Sequence, residues 1–97
     1  MEVLTLEFPA SAGKARRAHV GVVGSGDLEI LMTPSADDKT HVKIRTSVAG
    51  FAVTWKAVFE RFLGQHPEAG NFEINDFGAT PGTVALRLQQ AVEVSKS

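Results

Sequence analysis

The spacing of apolar positions changes period along the chain, and each change marks an element. Leu4, Leu6 and Phe8 alternate with Val3, Thr5 and Glu7, the period of a half-buried strand, and Pro9 closes it. Ala10 to Arg17 is small, polar and basic and predicts a loop. Ala18 to Val23 has the β-branched content of a strand, Gly24-Ser25-Gly26-Asp27 interrupts it, and Leu28 to Met32 resumes it. The two segments predict a hairpin around a glycine-rich turn. A polar connection from Pro34 to Thr40 leads into the most regular alternation of the chain, with Val42, Ile44, Thr46 and Val48 inward and Lys43, Arg45 and Ser47 outward.

After Gly50 the period lengthens. Ala52, Trp55, Val58, Phe59 and Phe62 fall at helical spacing, with Lys56, Glu60 and Arg61 opposite, and Gly64 and Pro67 stand where a C-cap and a following breaker belong. Phe72 to Asn75 predicts a short fifth strand. Thr80-Pro81 has the form of an N-cap with proline at the first helical position, and Val84, Ala85, Leu88, Ala91 and Val92 form a second apolar stripe. Leu86 departs from that stripe, and Val84-Leu86-Leu88 also suits a strand. The segment's length and its Ala, Leu, Arg and Gln, which lose little freedom in a helix, favour the helix. The order β-β-β-β-α-β-α predicts an α+β fold: a mainly antiparallel sheet of about five strands covered on one face by two helices.

Composition narrows the functional classes. A chain of 97 residues is expected to form a single domain, residues 1–97. Its formal net charge of -1 lacks the basic excess that drives binding to nucleic-acid backbones, so no nucleic-acid partner is expected. Hydrophobic residues at 43% suffice for a folded core. With zero Cys there is no disulfide scaffold, thiolate metal site or cysteine nucleophile. The first residues carry acid where a signal peptide has base, and no apolar run approaches the roughly 20 residues of a membrane span. A cytoplasmic protein with no membrane partner is expected.

One segment has candidate chemistry. Gly24-Ser25-Gly26-Asp27 sets a single hydroxyl between two residues without side chains at the tip of the expected hairpin, which permits a tight turn and also leaves room for a bulky reagent at Ser25. Taken alone, the tetrapeptide reads as turn chemistry and nothing more. Nucleophilic catalysis by Ser25 would need a base, and His19, His41 and His66 stand in three separate elements, so no catalytic residue is expected. Nor do the histidines, or the scattered carboxylates Asp27, Glu29, Glu73 and Asp76, show metal-ligand spacing; the carboxylates read as solvated surface and no metal site is expected. Asp76-Phe77-Gly78 imitates the metal-binding tripeptide of kinases without their other motifs and predicts a turn. Lys14, Arg16 and Arg17 form a small basic cluster in the first loop. For Asp27 two roles stand open: a side chain bonded to its own turn, or a contact for a modifying enzyme.

Taken as a pair, Gly21-Val22-Val23-Gly24-Ser25-Gly26-Asp27-Leu28-Glu29 and Ile74-Asn75-Asp76-Phe77-Gly78-Ala79-Thr80-Pro81-Gly82 resemble the malonate decarboxylase acyl carrier protein (delta subunit) family, which is related to the gamma chain of citrate lyase. The similarity extends from the first strand to the last helix. The resemblance implies that Ser25, flanked by Gly24, Gly26 and Asp27, carries 2'-(5''-phosphoribosyl)-3'-dephospho-CoA through a phosphodiester bond, and that the terminal thiol of this group holds acetyl or malonyl as a thioester while malonate is converted to acetate and carbon dioxide. It implies a carrier that makes no bonds itself. The implied partners are the acyl transferase and decarboxylase subunits of the complex, a prosthetic-group transferase and a malonyl-loading transferase. Two alternatives remain at this level: the carrier of a citrate-lyase-like complex, and a non-catalytic interaction module with an unmodified Gly-Ser-Gly turn.

Overall fold

Alternating burial along the strands defines one inner sheet face, and the helices lie on it. The computed structural model describes residues 2–10, 16–21, 26–47, 50–66 and 69–95. Its elements are β1 (Glu2–Pro9), β2 (Ala18–Gly21), β3 (Leu28–Pro34), β4 (Lys39–Thr46), α1 (Ala52–Gln65), β5 (Gly70–Asp76) and α2 (Pro81–Ser95). The strands form one sheet in the order β1-β4-β5-β3-β2. Val22, Val23, Val48, Pro67 and Lys14, which the sequence assigns to strand ends, a breaker and a basic cluster, lie outside the described residues.

Every neighbouring pair of strands is antiparallel except β4 and β5, which run parallel. The sheet is therefore mixed. A parallel pair needs a crossover connection, and α1, between β4 and β5 in the chain, supplies it. The registers align side chains in rows across all five strands. Leu4, Ile44, Ile74, Ile30 and Val20 form one row, and Leu6, Val42, Phe72, Met32 and Ala18 the next. In the two rows Ile44, Ile74, Ile30, Val42, Phe72, Met32 and Ala18 are buried; the flanking Leu4, Leu6 and Val20 are partly so.

On this face α1 sets Trp55 and Phe59 into the core. Phe59 is fully buried, and its ring meets Phe72 of β5 edge-on at 5.5 Å between centroids, Phe62 at 6.2 Å and Phe8 of β1 at 6.4 Å. This helix thus spans the β1–β4–β5 side, while α2 packs over β2 and β3. The second stripe is helical: Val84 and Leu88 are 3% and 0% exposed while Leu86 is 57% exposed, whereas a strand would set all three on one face. Two members of the expected stripes lie on the surface. Ala52 is exposed because burial begins one turn later at Trp55, and Ala85 is exposed because the buried arc of α2 is confined to Val84, Leu88, Ala91 and Val92. Gly64 is not the C-cap. The helix runs through it to Gln65, and the N–H of His66 donates to the Phe62 carbonyl at 3.1 Å, with the His66 ring laid on Phe62. Among the described residues no helix is long and apolar enough to cross a membrane.

Phe59 is the contact between both helix-facing aromatics and two strands. Phe59→Ala should lower stability by about 3–5 kcal/mol, read as a fall in the denaturant midpoint with an unchanged slope. A loss under about 1 kcal/mol would mean that the ring is not the centre of this core.

Candidate functional site

The β2–β3 hairpin forms as the sequence predicts, and its loop is closed at the base. Gly21, the last residue of β2, has φ +81°, and a Cβ built on it would stand 2.0 Å from the Leu28 carbonyl oxygen, so only glycine is tolerated where the strands pinch together. Gly24 and Ser25 lie outside the described residues. Just past them, Gly26 has φ +75° and is exposed, with nothing within 4 Å of the space a side chain would take.

The second motif of the chain meets this loop directly. Gly26 N–H donates to the Phe77 carbonyl at 2.7 Å, and Phe77 N–H donates to the Asp27 carbonyl at 2.9 Å, continuing the β3–β5 ladder beyond Leu28↔Asp76. The turn after β5 is fixed in its own right. Asp76 accepts from Ala79 N–H at 3.0 Å through Oδ1 and from Thr46 Oγ1 at 2.8 Å through Oδ2. Asp76 is 4% exposed, so it is not solvated surface. It shares the inward parity of Phe72 and Ile74, and it is buried because two donors satisfy it there. Thr80 then caps α2, its Oγ1 accepting from Thr83 N–H at 3.2 Å, with Pro81 opening the helix.

Asp27 joins the loop to that helix. Its Oδ1 accepts from Leu28 N–H at 2.7 Å, the local turn bond expected of it, and both carboxylate oxygens accept from Arg87 of α2, at 3.1 Å from Nε and 2.6 Å from Nη2. Arg87 Nη1 in turn donates to Gln90 Oε1 at 2.9 Å. The Arg87 hydrogen bonds first, and then the Leu28 N–H, hold the Asp27 carboxyl below its ordinary value. Reasoning along the chain misses Arg87 entirely, because a residue beside an apolar stripe reads as solvated until its partner sixty positions away is known.

The other polar residues do not converge. His19 pairs with Glu29 at 2.9 Å, while His41 lies by Asp37 and Glu7. Glu29 also accepts from Asn75 Nδ2, and these two bonds, the Asn75 one foremost, lower its carboxyl. Glu73 is exposed. Among the described residues no three of His, Asp and Glu come together as metal ligands.

The family model of the malonate decarboxylase delta subunit (MdcD) matches residues 15–95. Malonate decarboxylase acyl carrier proteins from Azotobacter vinelandii and Pseudomonas savastanoi pv. phaseolicola are 52% and 53% identical to the chain over 94 residues, covering 96% of it and 95% of each relative. In a crystal structure of a Pseudomonas malonate decarboxylase hetero-tetramer in complex with malonate, one chain superposes with a TM-score of 0.89 at 52% identity, covering 96% of this chain and 97% of that one. Fold and relatives together define an acyl carrier built on a sheet and two helices. The chain belongs to the malonate decarboxylase delta-subunit family.

The Asp27–Arg87 pair predicts an acid-dependent share of stability. Since the Asp27 carboxyl is lowered on folding, the pair stabilises fully above about pH 4, the ordinary range of an aspartate, and is lost as pH falls through the lowered folded value. Arg87→Ala should lower Tm at neutral pH, and the gap to wild type should narrow progressively in thermal scans as the pH is taken below about 4. A gap of the same size throughout would assign the loss to packing of the Arg87 stem.

Proposed function

We propose that the chain is the acyl carrier subunit of a malonate decarboxylase and that Ser25 bears its prosthetic group, 2'-(5''-phosphoribosyl)-3'-dephospho-CoA. The near-full-length similarity to carriers of this name carries the reading, and the local geometry is compatible with it. When attached, the group supplies a thiol on which acetyl and malonyl are held as thioesters during conversion of malonate to acetate and carbon dioxide.

The work of the chain's own residues is presentation. Gly21 pinches the hairpin, the paired Gly26–Phe77 and Phe77–Asp27 backbone bonds tie its far side to the turn after β5, and Asp27–Arg87 anchors that side to α2. The segment that follows Ser25 is therefore held in place from Gly26 onward, which limits the conformations to be frozen when a partner engages the site. The carrier makes no bonds itself in this reading. Its described histidines are engaged with carboxylates or laid on an aromatic ring. The proposed partners are the acyl transferase and decarboxylase subunits, with a prosthetic-group transferase and a malonyl-loading transferase acting on Ser25. Support for the subunits comes from the similarity to a chain of a hetero-tetramer.

Intact mass of the protein purified from its source tests the reading. An increment equal to the phosphodiester-linked group is expected, and Ser25→Ala should abolish it while leaving the thermal unfolding curve unchanged, since a hydroxyl between two glycines contributes little packing. An undiminished increment in Ser25→Ala overturns the site. Source protein of unmodified mass favours the plain interaction module instead.

A further inference from the structure

A groove of about 230 Å³ opens where the first turns of α1 and α2 approach each other. Phe51, Trp55, Val58, Pro81 and Val84 make its walls apolar, and Thr46 and Asp76 lie among its lining residues. Phe51 is 48% exposed there, a large ring left beside an unfilled concavity. Among the described residues no Lys, Arg or His lines the groove.

The groove is continuous with the hairpin. Gly78 and Ala79 line it, and the residue before them, Phe77, is the one that exchanges backbone hydrogen bonds with Gly26 and Asp27. Gly26, the residue that follows Ser25 in the chain, is thus tied beside the rim. Resting on the reading of Ser25 given above, we propose that this groove receives the uncharged end of the prosthetic arm, as free thiol or acetyl thioester, between visits to the partner subunits.

Charge selects among the possible ends. The apolar walls suit a methyl thioester or a thiol. A malonyl end brings a carboxylate toward Asp76 with no base among the described lining residues to neutralise it, and both Asp76 oxygens already have donors, in Ala79 N–H and Thr46 Oγ1. The malonyl-loaded arm is therefore left in solvent, available to a partner, while the acetyl-loaded arm is shielded from water. Tethering makes weak affinity sufficient. A flexible tether gives an effective concentration of at most the order of millimolar, falling as the arm lengthens, so an intrinsic dissociation constant of about millimolar or tighter fills the groove appreciably.

The composition provides two clean probes: with zero Cys the arm's thiol is the only thiol, and Trp55 in the groove wall is the only tryptophan. The arm-bearing protein, verified by intact mass, is titrated with a chromogenic disulfide reagent beside free coenzyme A. The arm thiol is expected to react roughly two- to tenfold more slowly, and Thr54→Phe, which fills the groove from an exposed lining position, and Phe51→Ala, which strips its wall, should each restore the free rate. Trp55 emission should differ from that of the unmodified protein in the thiol and acetyl forms and return to it in the malonyl form. Thermal scans of both variants verify folding, and either folded variant decides. A verified arm reacting at the free rate overturns the inference and leaves the Ser25 reading intact; a missing mass increment on source protein removes both. Protection that survives both groove variants, an equal Trp55 response to malonyl, or an emission change that appears only on adding the other subunits also overturns it, the last assigning the groove to a partner.

Discussion

Insertion of β5 between β4 and β3 is the pairing on which the rest of the molecule depends. Its inward residues Phe72, Ile74 and Asp76 stand in register with Val42, Ile44 and Thr46 on one side and Met32, Ile30 and Leu28 on the other. Phe72 gives the α1 aromatics a surface, Ile74 is the middle of a five-strand apolar row, and Asp76 ends the strand with a buried, doubly satisfied carboxylate. A strand buried centrally by two long-range pairings forms only when segments distant in sequence have met, so the sheet and its helices are expected to assemble together.

The polar end of β5 couples that core to the β2–β3 hairpin and to the start of α2. From Asp76 the chain turns through Phe77 and Gly78 into the Thr80 cap of α2, and within these few residues it holds the hairpin by the Gly26 and Asp27 backbone, holds Thr46 of β4, and lines the groove beside α1. A turn fixed in this way holds the Gly26–Asp27 end of the hairpin loop through backbone bonds, without any side chain of the turn reaching that loop. It also explains why the two sequence motifs occur together: the hairpin and the turn are the two halves of one ladder extension.

Much of this architecture was open to reading from periodicity. The alternation at Val42 to Thr46, the change to helical spacing after Gly50 and the Thr80-Pro81 start of α2 are local signals, and each corresponds to an observed element because burial on one face imposes its period on the chain. Asp76 was readable as well, since its parity with Phe72 and Ile74 points inward, but polarity suggested the surface. Gly64 misled because a glycine near a helix end is a C-cap only when it takes up positive φ, and the glycines that do so among the described residues are Gly21, Gly26, Gly50 and Gly78.

By itself the sequence determined the types and order of the elements, the glycine-flanked serine, and the family whose paired motifs it carries, because these depend on neighbours along the chain. Only the tertiary structure decided the strand order, the parallel β4–β5 contact, the partner of Asp27 and the groove between the helix starts. Each of these joins residues tens of positions apart, Asp27 to Arg87 and Thr46 to Asp76 among them. The free energy of such contacts resides in a juxtaposition that no local period encodes.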